Sequence, residues 1–403
     1  MNKAELELME VEKKALENKE NNVQAEDHIQ DTEEQYKQFN IESWNKGKGY
    51  LMPKGHFQYF DQQMEGLESG LFLFAGESNS GKTSVLLELL MQYASNPDNN
   101  LYGLYFSLDD TSDKLIPRIL ASNSKVREDL MGVPISLFSK PQRYLDELRD
   151  IDDIDSEKAR LYYSYLYKNL MDSPFEKIDT ELINKDPVDI DTSESIRDKA
   201  YEWLNTTKNY FKVVDGTKIS CGEELIEYCH NVIEQVRVTL NNPKLNLIVG
   251  IDSLSDIIWR DHYFGSEKEL NDFTSREIKR LAVEELRCPI FGSIHLRKID
   301  QRKRPTIADV KESGRWVYEA SLVFLVYNDV SRNKGSAKIY IPGDKDINGV
   351  AYKIPVIELD WAKNKQSSFK GRTYCMFETD KSRVTEISDE RRKNFDQRIY
   401  GDF

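Results

Sequence analysis

The sequence predicts an α/β fold in which a mostly parallel, twisted sheet is covered by helices on both faces. Two observations carry that expectation: continuous apolar runs alternate with helical patterns along most of the 403 residues, and a glycine-rich motif sits where one run passes into a helix. The runs are LFLFA at 71–75, LYGLYF at 101–106, LNLIVGI at 245–251, PIFGSI from 289, LVFLVY from 322 and PVIELDW from 355. Unbroken apolarity, rather than alternation, is what a strand buried on both faces requires. The helical stretch SVLLELLMQYA begins at 84, directly after the glycine-rich motif.

Composition sets the outer bounds. Hydrophobic residues are 39% and charged residues 31%, the balance of a globular chain with a heavily charged surface. No apolar run approaches the roughly 20 residues that cross a bilayer, and the opening MNKAELELMEVEKK alternates charge where a secretory signal would be greasy. A cytoplasmic protein without a membrane partner is expected. Cys221, Cys229, Cys288 and Cys375 are far apart and form no Cys-x-x-Cys pair, so neither a disulfide framework nor a zinc site is indicated.

The net charge of −14 is unevenly distributed. Residues 1–45 hold 5 Lys/Arg against 12 Asp/Glu, residues 140–200 hold 10 against 16, and the rest of the chain is close to balance at 41 against 42. Acidity therefore does not exclude nucleic acid, because the core keeps basic clusters such as Arg297 to Arg304. The organisation expected is an acidic N-terminal arm over 1–45, with an apolar helical stripe at Ala4, Leu8, Val11 and Ala15, followed by a core over 46–403. An acidic, tyrosine-rich insertion is expected at about 138–205.

The strongest chemical signal is Gly76-Glu77-Ser78-Asn79-Ser80-Gly81-Lys82-Thr83, which matches G-x-x-x-x-G-K-[ST] between a strand and a helix. Glycines let backbone N–H groups wrap phosphates, the helix N-terminus favours anions, Lys82 reaches the β and γ phosphates, and Thr83 ligates Mg²⁺. Residues Gly76 through Ser84 are thus expected to hold ATP. Asp252, immediately after the run at 245–251, is placed to hold the same Mg²⁺ from a neighbouring strand tip.

From these motifs onward the sequence resembles the DnaB-type replicative helicases. Before the phosphate loop, His56-Phe57, Phe60-Asp61 and Gly66-Leu67-Glu68-Ser69-Gly70 are similar to the family's leading segment. Phe106-Ser107-Leu108-Asp109, followed by Arg118 to Ser122, resembles the segment whose acidic residue orients the attacking water. The string Arg304-Pro305-Thr306-Ile307-Ala308-Asp309-Val310-Lys311-Glu312-Ser313-Gly314 closely resembles the family's fourth motif, and Ala362-Lys363-Asn364-Lys365 with Gly371-Arg372 resembles its segment of trans-acting basic fingers.

The resemblance implies a RecA-like P-loop NTPase core that hydrolyses ATP at subunit interfaces and moves 5′ to 3′ on single-stranded DNA as a hexameric ring. It implies Asp109 as catalytic base, where the family has glutamate, with Asp110 as competitor. His295 stands where the family has a γ-phosphate-sensing glutamine, and Lys363 and Lys365 stand for a lysine and arginine pair. Arg297, Lys298, Arg302, Lys303 and Arg304 fall in the DNA-facing loop and, without an aromatic among them, would grip phosphates. The short arm stands where the family carries a primase-binding domain, which suggests a phage-like short form and leaves primase, a loader or other replisome proteins as open partners. Two other readings are a RecA-like strand-exchange ATPase, favoured by the Lys-x-Lys finger, and a non-motor loader or adaptor with a degenerate ATPase core.

Overall fold

The computed structural model describes residues 49–111, 207–297, 303–310, 314–345 and 351–400, with isolated positions at 34 and between 114 and 122. The arm helix and the insertion at 138–205 lie outside the described residues, as do Lys298 and Arg302. The unit Tyr50–Phe403 carries the sheet and the site.

Among the described residues ten strands form the sheet: β1 (Gly70–Gly76), β2 (Leu101–Ser107), β3 (Phe211–Asp215), β4 (Asn246–Asp252), β5 (Pro289–His295), β6 (Leu322–Asn328), β7 (Tyr340–Lys345), β8 (Ala351–Asn364), β9 (Arg372–Glu378) and β10 (Arg383–Glu386). Their order across the sheet is β10-β9-β8-β6-β1-β5-β4-β2-β3, with β7 on β8. Strands β6, β1, β5, β4, β2 and β3 pair in parallel, and β7 to β10 add an antiparallel wing. Seven described helices accompany it: α1 (Gln58–Met64), α2 (Lys82–Ser95), α3 (Gly222–Thr239), α4 (Glu267–Arg280), α5 (Gly314–Glu319), α6 (Asp329–Asn333) and α7 (Asp389–Tyr400).

The period-2 geometry of a strand explains why the apolar runs had to be continuous. In β1, Leu71, Leu73 and Ala75 enter one core while Phe72 and Phe74 enter another. The same division sends Val323 and Leu325 of β6 one way and Leu322, Phe324 and Val326 the other. Residues of α3 and α4, among them Leu225, Cys229 and Ile278, cover the first face; Val85, Leu86, Leu89 and Leu90 of α2 cover the second. Each parallel strand thereby ends at one edge of the layers, and that edge is where residues 76–83, 107–109, 252 and 295 emerge.

Candidate nucleotide site at the strand ends

The phosphate loop is shaped by its two glycines. Gly81 has φ 92°, and a Cβ there would fall on the Ile357 side chain; a Cβ on Gly76 would come 2.5 Å from Ser80 Oγ and 2.9 Å from the Val326 carbonyl. The loop closes onto α2, whose first residue, Lys82, is 7% exposed and donates to the Glu77 carbonyl at 2.8 Å. Burial lowers the Lys82 pKa, opposed by the carboxylates of Asp252 and Asp109, so the ammonium sits among groups that keep it charged. Ser80 Oγ is buried and has no hydrogen-bond partner among the described residues. Ser84 follows in the first turn of α2, half-buried.

Asp252 ends β4 and is 7% exposed. Its Oδ2 accepts from Thr83 Oγ1 at 2.5 Å and from the Tyr105 hydroxyl at 2.9 Å, and its Oδ1 accepts from Ser293 Oγ. Tyr105 has a pKa pushed well up by burial and by Asp252 itself, so it remains a donor. Three hydroxyls from α2, β2 and β5 therefore aim one carboxylate at the loop. The next strand end is held in register too: Leu108 N donates to the Asp252 carbonyl at 2.6 Å and Asp109 N to the same oxygen at 3.3 Å.

The two adjacent acids after β2 separate clearly. Asp110 is paired with Lys114 at 3.3 Å and Arg118 at 3.0 Å, whereas the exposed Asp109 carboxylate has no ion pair among the described residues. His295 ends β5 directly opposite Gly76 in the β1–β5 register. Burial and the Lys82 ammonium lower its pKa, against Asp256, Asp109 and Asp252, so it is a neutral imidazole near pH 7. Beside the loop a cavity of about 410 Å³ is walled by Glu77 to Ser80, Lys303, Tyr327, Asn328 and Arg332.

The other expected cations divide. Lys365 is exposed, follows β8, and its N–H donates to the Ser321 carbonyl at 2.9 Å, at the start of β6. Gly76 pairs with Val326 near the end of β6, so Lys365 stands about 16 Å along the sheet from its own loop at roughly 3.3 Å per residue. Lys363 is different: its Nζ donates to the carbonyls of Val317, Tyr318 and Ala320 at 2.5, 2.9 and 2.7 Å. It caps the C-terminus of α5, and burial with the nearby Lys365 lowers its pKa to about 8. Of the two lysines expected as fingers, Lys363 is thus engaged within its own fold, while Lys365 is exposed.

The described residues of the basic cluster divide in the same way. Arg304 Nε and Nη2 each donate to the Glu358 carboxylate at 2.9 Å, and Glu358 is 1% exposed. The guanidinium also lies 5.0 Å over the Tyr327 ring. Arg304 is thus paired with a buried carboxylate, while Arg297 and Lys303 are exposed. Sequence reasoning missed Tyr105, Ser293 and Arg332, whose roles depend on partners distant along the chain.

A phosphate loop, a strand-end carboxylate and a neighbouring acid at the carboxyl edge of a parallel sheet define the RecA-like P-loop class. Within that class the sequence matches the DnaB-like helicase C terminal domain over residues 54–149 and 177–383, and the chain belongs to that family, the ATP-dependent replicative helicases. Among solved structures it is similar to a helicase ATPase domain, with 17% identity, TM-score 0.56, and coverage of 88% of this chain and 98% of that one. It is also similar to a DnaB-like replicative helicase described with its primase interactions, with 17% identity and TM-score 0.55, spanning 85% of this chain and 64% of that one. No curated relative matches the chain. Among the described residues no helix is long and apolar enough to cross a membrane.

Proposed function

We propose that this chain hydrolyses ATP with Mg²⁺ at the phosphate loop, as a ring whose subunits complete one another's sites, and that it moves 5′ to 3′ on single-stranded DNA. The arrangement of Lys82, Thr83, Asp252, Asp109 and His295 on adjacent strand ends, with Lys365 at the opposite edge, is the observation that carries this reading. The residues fit the ligands. The unpartnered Ser80 Oγ and the buried Lys82 ammonium suit phosphate oxygens, and Thr83 with Asp252 presents an oxygen pair that suits Mg²⁺. Bound there, Mg²⁺ would neutralise charge on the phosphates.

In this scheme Asp109 accepts a proton from the attacking water while Lys82 stabilises charge on the transferred group. His295, neutral and opposite the first loop glycine, donates a hydrogen bond that senses the γ-phosphate. Lys365 of a neighbouring subunit supplies the remaining cation. Arg297, Lys298, Arg302 and Lys303 hold DNA phosphates irrespective of base. We take residues 1–45 as an arm and 46–403 as the ATPase domain with its insertion at about 138–205, which the break in the family match between 149 and 177 supports. Primase or a loader would meet the chain outside the catalytic edge.

ATPase measured with and without single-stranded DNA, followed by unwinding of forked duplexes with 5′ or 3′ loading strands, tests the proposal. DNA-stimulated turnover with unwinding from the 5′-loaded fork is expected. Turnover with strand exchange but no unwinding would favour the recombination reading, and DNA-independent turnover the adaptor reading.

A further inference from the structure

The second residue of the phosphate loop, Glu77, places a carboxylate where the loop and the start of α2 are built to attract anions. Unopposed, it would repel the phosphates that Lys82 is positioned to bind. Arg332 meets it: Nη1 of Arg332 pairs with Glu77 Oε2, with side-chain exposures of 15% and 28% that leave the pair less screened than a surface one.

Arg332 is delivered by a short helix whose placement is strongly determined. The Asn328 side chain caps α6 by accepting from Ser331 N at 3.0 Å. The buried Asp329 carboxylate accepts from Lys338 N at 2.5 Å, Ile339 N at 2.8 Å and Asn333 Nδ2 at 2.6 Å, tying α6 to the segment that follows it. Glu77 and Arg332 then face the same cavity of about 410 Å³ beside the loop.

We propose that Arg332 is a positioning residue of the phosphate loop: it neutralises Glu77 and so keeps the loop receptive to a nucleotide polyphosphate. The inference rests on the phosphate-site reading. It requires that Arg332 act through Glu77, so removing the acid must remove the need for the base.

The test is steady-state ATPase of the full chain together with equilibrium binding of a fluorescent ADP analogue and Mg²⁺. Arg332→Gln is expected to raise KM and the analogue's Kd about tenfold, leaving kcat within about twofold, because an uncompensated charge near the ligand acts on binding. In the Glu77→Gln background Arg332→Gln should change KM by no more than about twofold, so that the double variant matches Glu77→Gln and not Arg332→Gln. An Arg332→Gln variant with unchanged KM overturns the proposal, and so does a loss that Glu77→Gln fails to restore. Should Arg332→Gln not fold, Arg332→Lys and the double variant decide: wild-type KM in Arg332→Lys and the Glu77→Gln value in the double variant support the proposal, and a KM raised above its reference in either overturns it. Lys82→Ala in the same assays separates the two levels. Normal binding and turnover in that variant would sink the phosphate-site reading, whereas loss there with none in Arg332→Gln would sink only the role of Arg332.

Discussion

The two edges of the sheet hold lysines of opposite character. At the carboxyl edge, Lys82 is buried, bonded to its own loop and surrounded by Asp252, Asp109 and His295. At the amino edge, Lys365 is exposed, with its ammonium 6.0 Å above the exposed Tyr318 ring. In the proposed reading the first edge binds ligand with groups that its own chain aims, and the second offers a cation too far from its own loop to serve it. A fold with its proposed phosphate cradle at one edge and an exposed lysine at the other has the asymmetry that the proposed head-to-tail packing of subunits would use.

The contrast breaks most visibly if Lys82→Ala spares activity. That substitution is expected to lower ATP turnover at least about a hundredfold, the scale of losing one preorganised charge-stabilising donor, while thermal unfolding stays near wild type. Turnover within tenfold of wild type would show that the carboxyl edge is not the phosphate site. Next in size is Asp109→Asn, expected to slow kcat by about 10² or more with little change in nucleotide Kd, as for a lost general base. Asp110→Asn should matter less, since it loses only the pairs with Lys114 and Arg118. A larger effect at Asp110 would move the base by one residue.

A third comparison sets neighbours in the basic cluster against each other. Arg304→Ala leaves the buried Glu358 with only the looser Arg372 contact at 4.0 Å and should cost about 3 kcal/mol of stability, read by chemical denaturation. Lys303→Ala should leave stability unchanged and reduce the salt dependence of single-strand binding by about 0.7 in log-log slope. The reverse pattern would exchange their roles. The smallest effect concerns His295. Its pKa lies below the ordinary 6.5 in the free chain, so the neutral ring persists to lower pH, and any acid limb of kcat/KM that it causes is expected below 6.5. His295→Gln, which cannot titrate, should abolish that limb; an unchanged limb would assign it elsewhere.

How much was legible in the sequence depends on where each signal is stored. Strands β1, β2, β4, β5, β6 and β8 were foreseen because burial on both faces writes itself as an unbroken apolar run. Strand β3 was missed because, at the end of the sheet, only two of its five residues are buried. The antiparallel strands β7, β9 and β10 were missed because polar, charged and turn-forming residues interrupt their short apolar stretches, YIPGDK, RTYCMFE and RVTE. In the site, Gly76 to Thr83 and Asp252 were readable as local strings. Tyr105 and Ser293 were not, since a hydroxyl inside a strand announces nothing until the sheet brings it to Asp252. Lys363 and Arg304 show the converse limit: charge was visible, but the α5 carbonyls and Glu358 that engage it were not.

If the carboxyl edge of one subunit and the amino edge of another make one catalytic site, two inactive variants can repair each other. Mixing Lys82→Ala subunits with Lys365→Ala subunits, with subunit exchange demonstrated by an independent label, puts this to trial. A mixed assembly can set an intact phosphate loop against an intact Lys365, so ATP turnover well above that of either variant alone is expected. Turnover equal to the weighted sum of the two separate variants, with exchange proven, would contradict the shared site and leave Lys365 without a catalytic part.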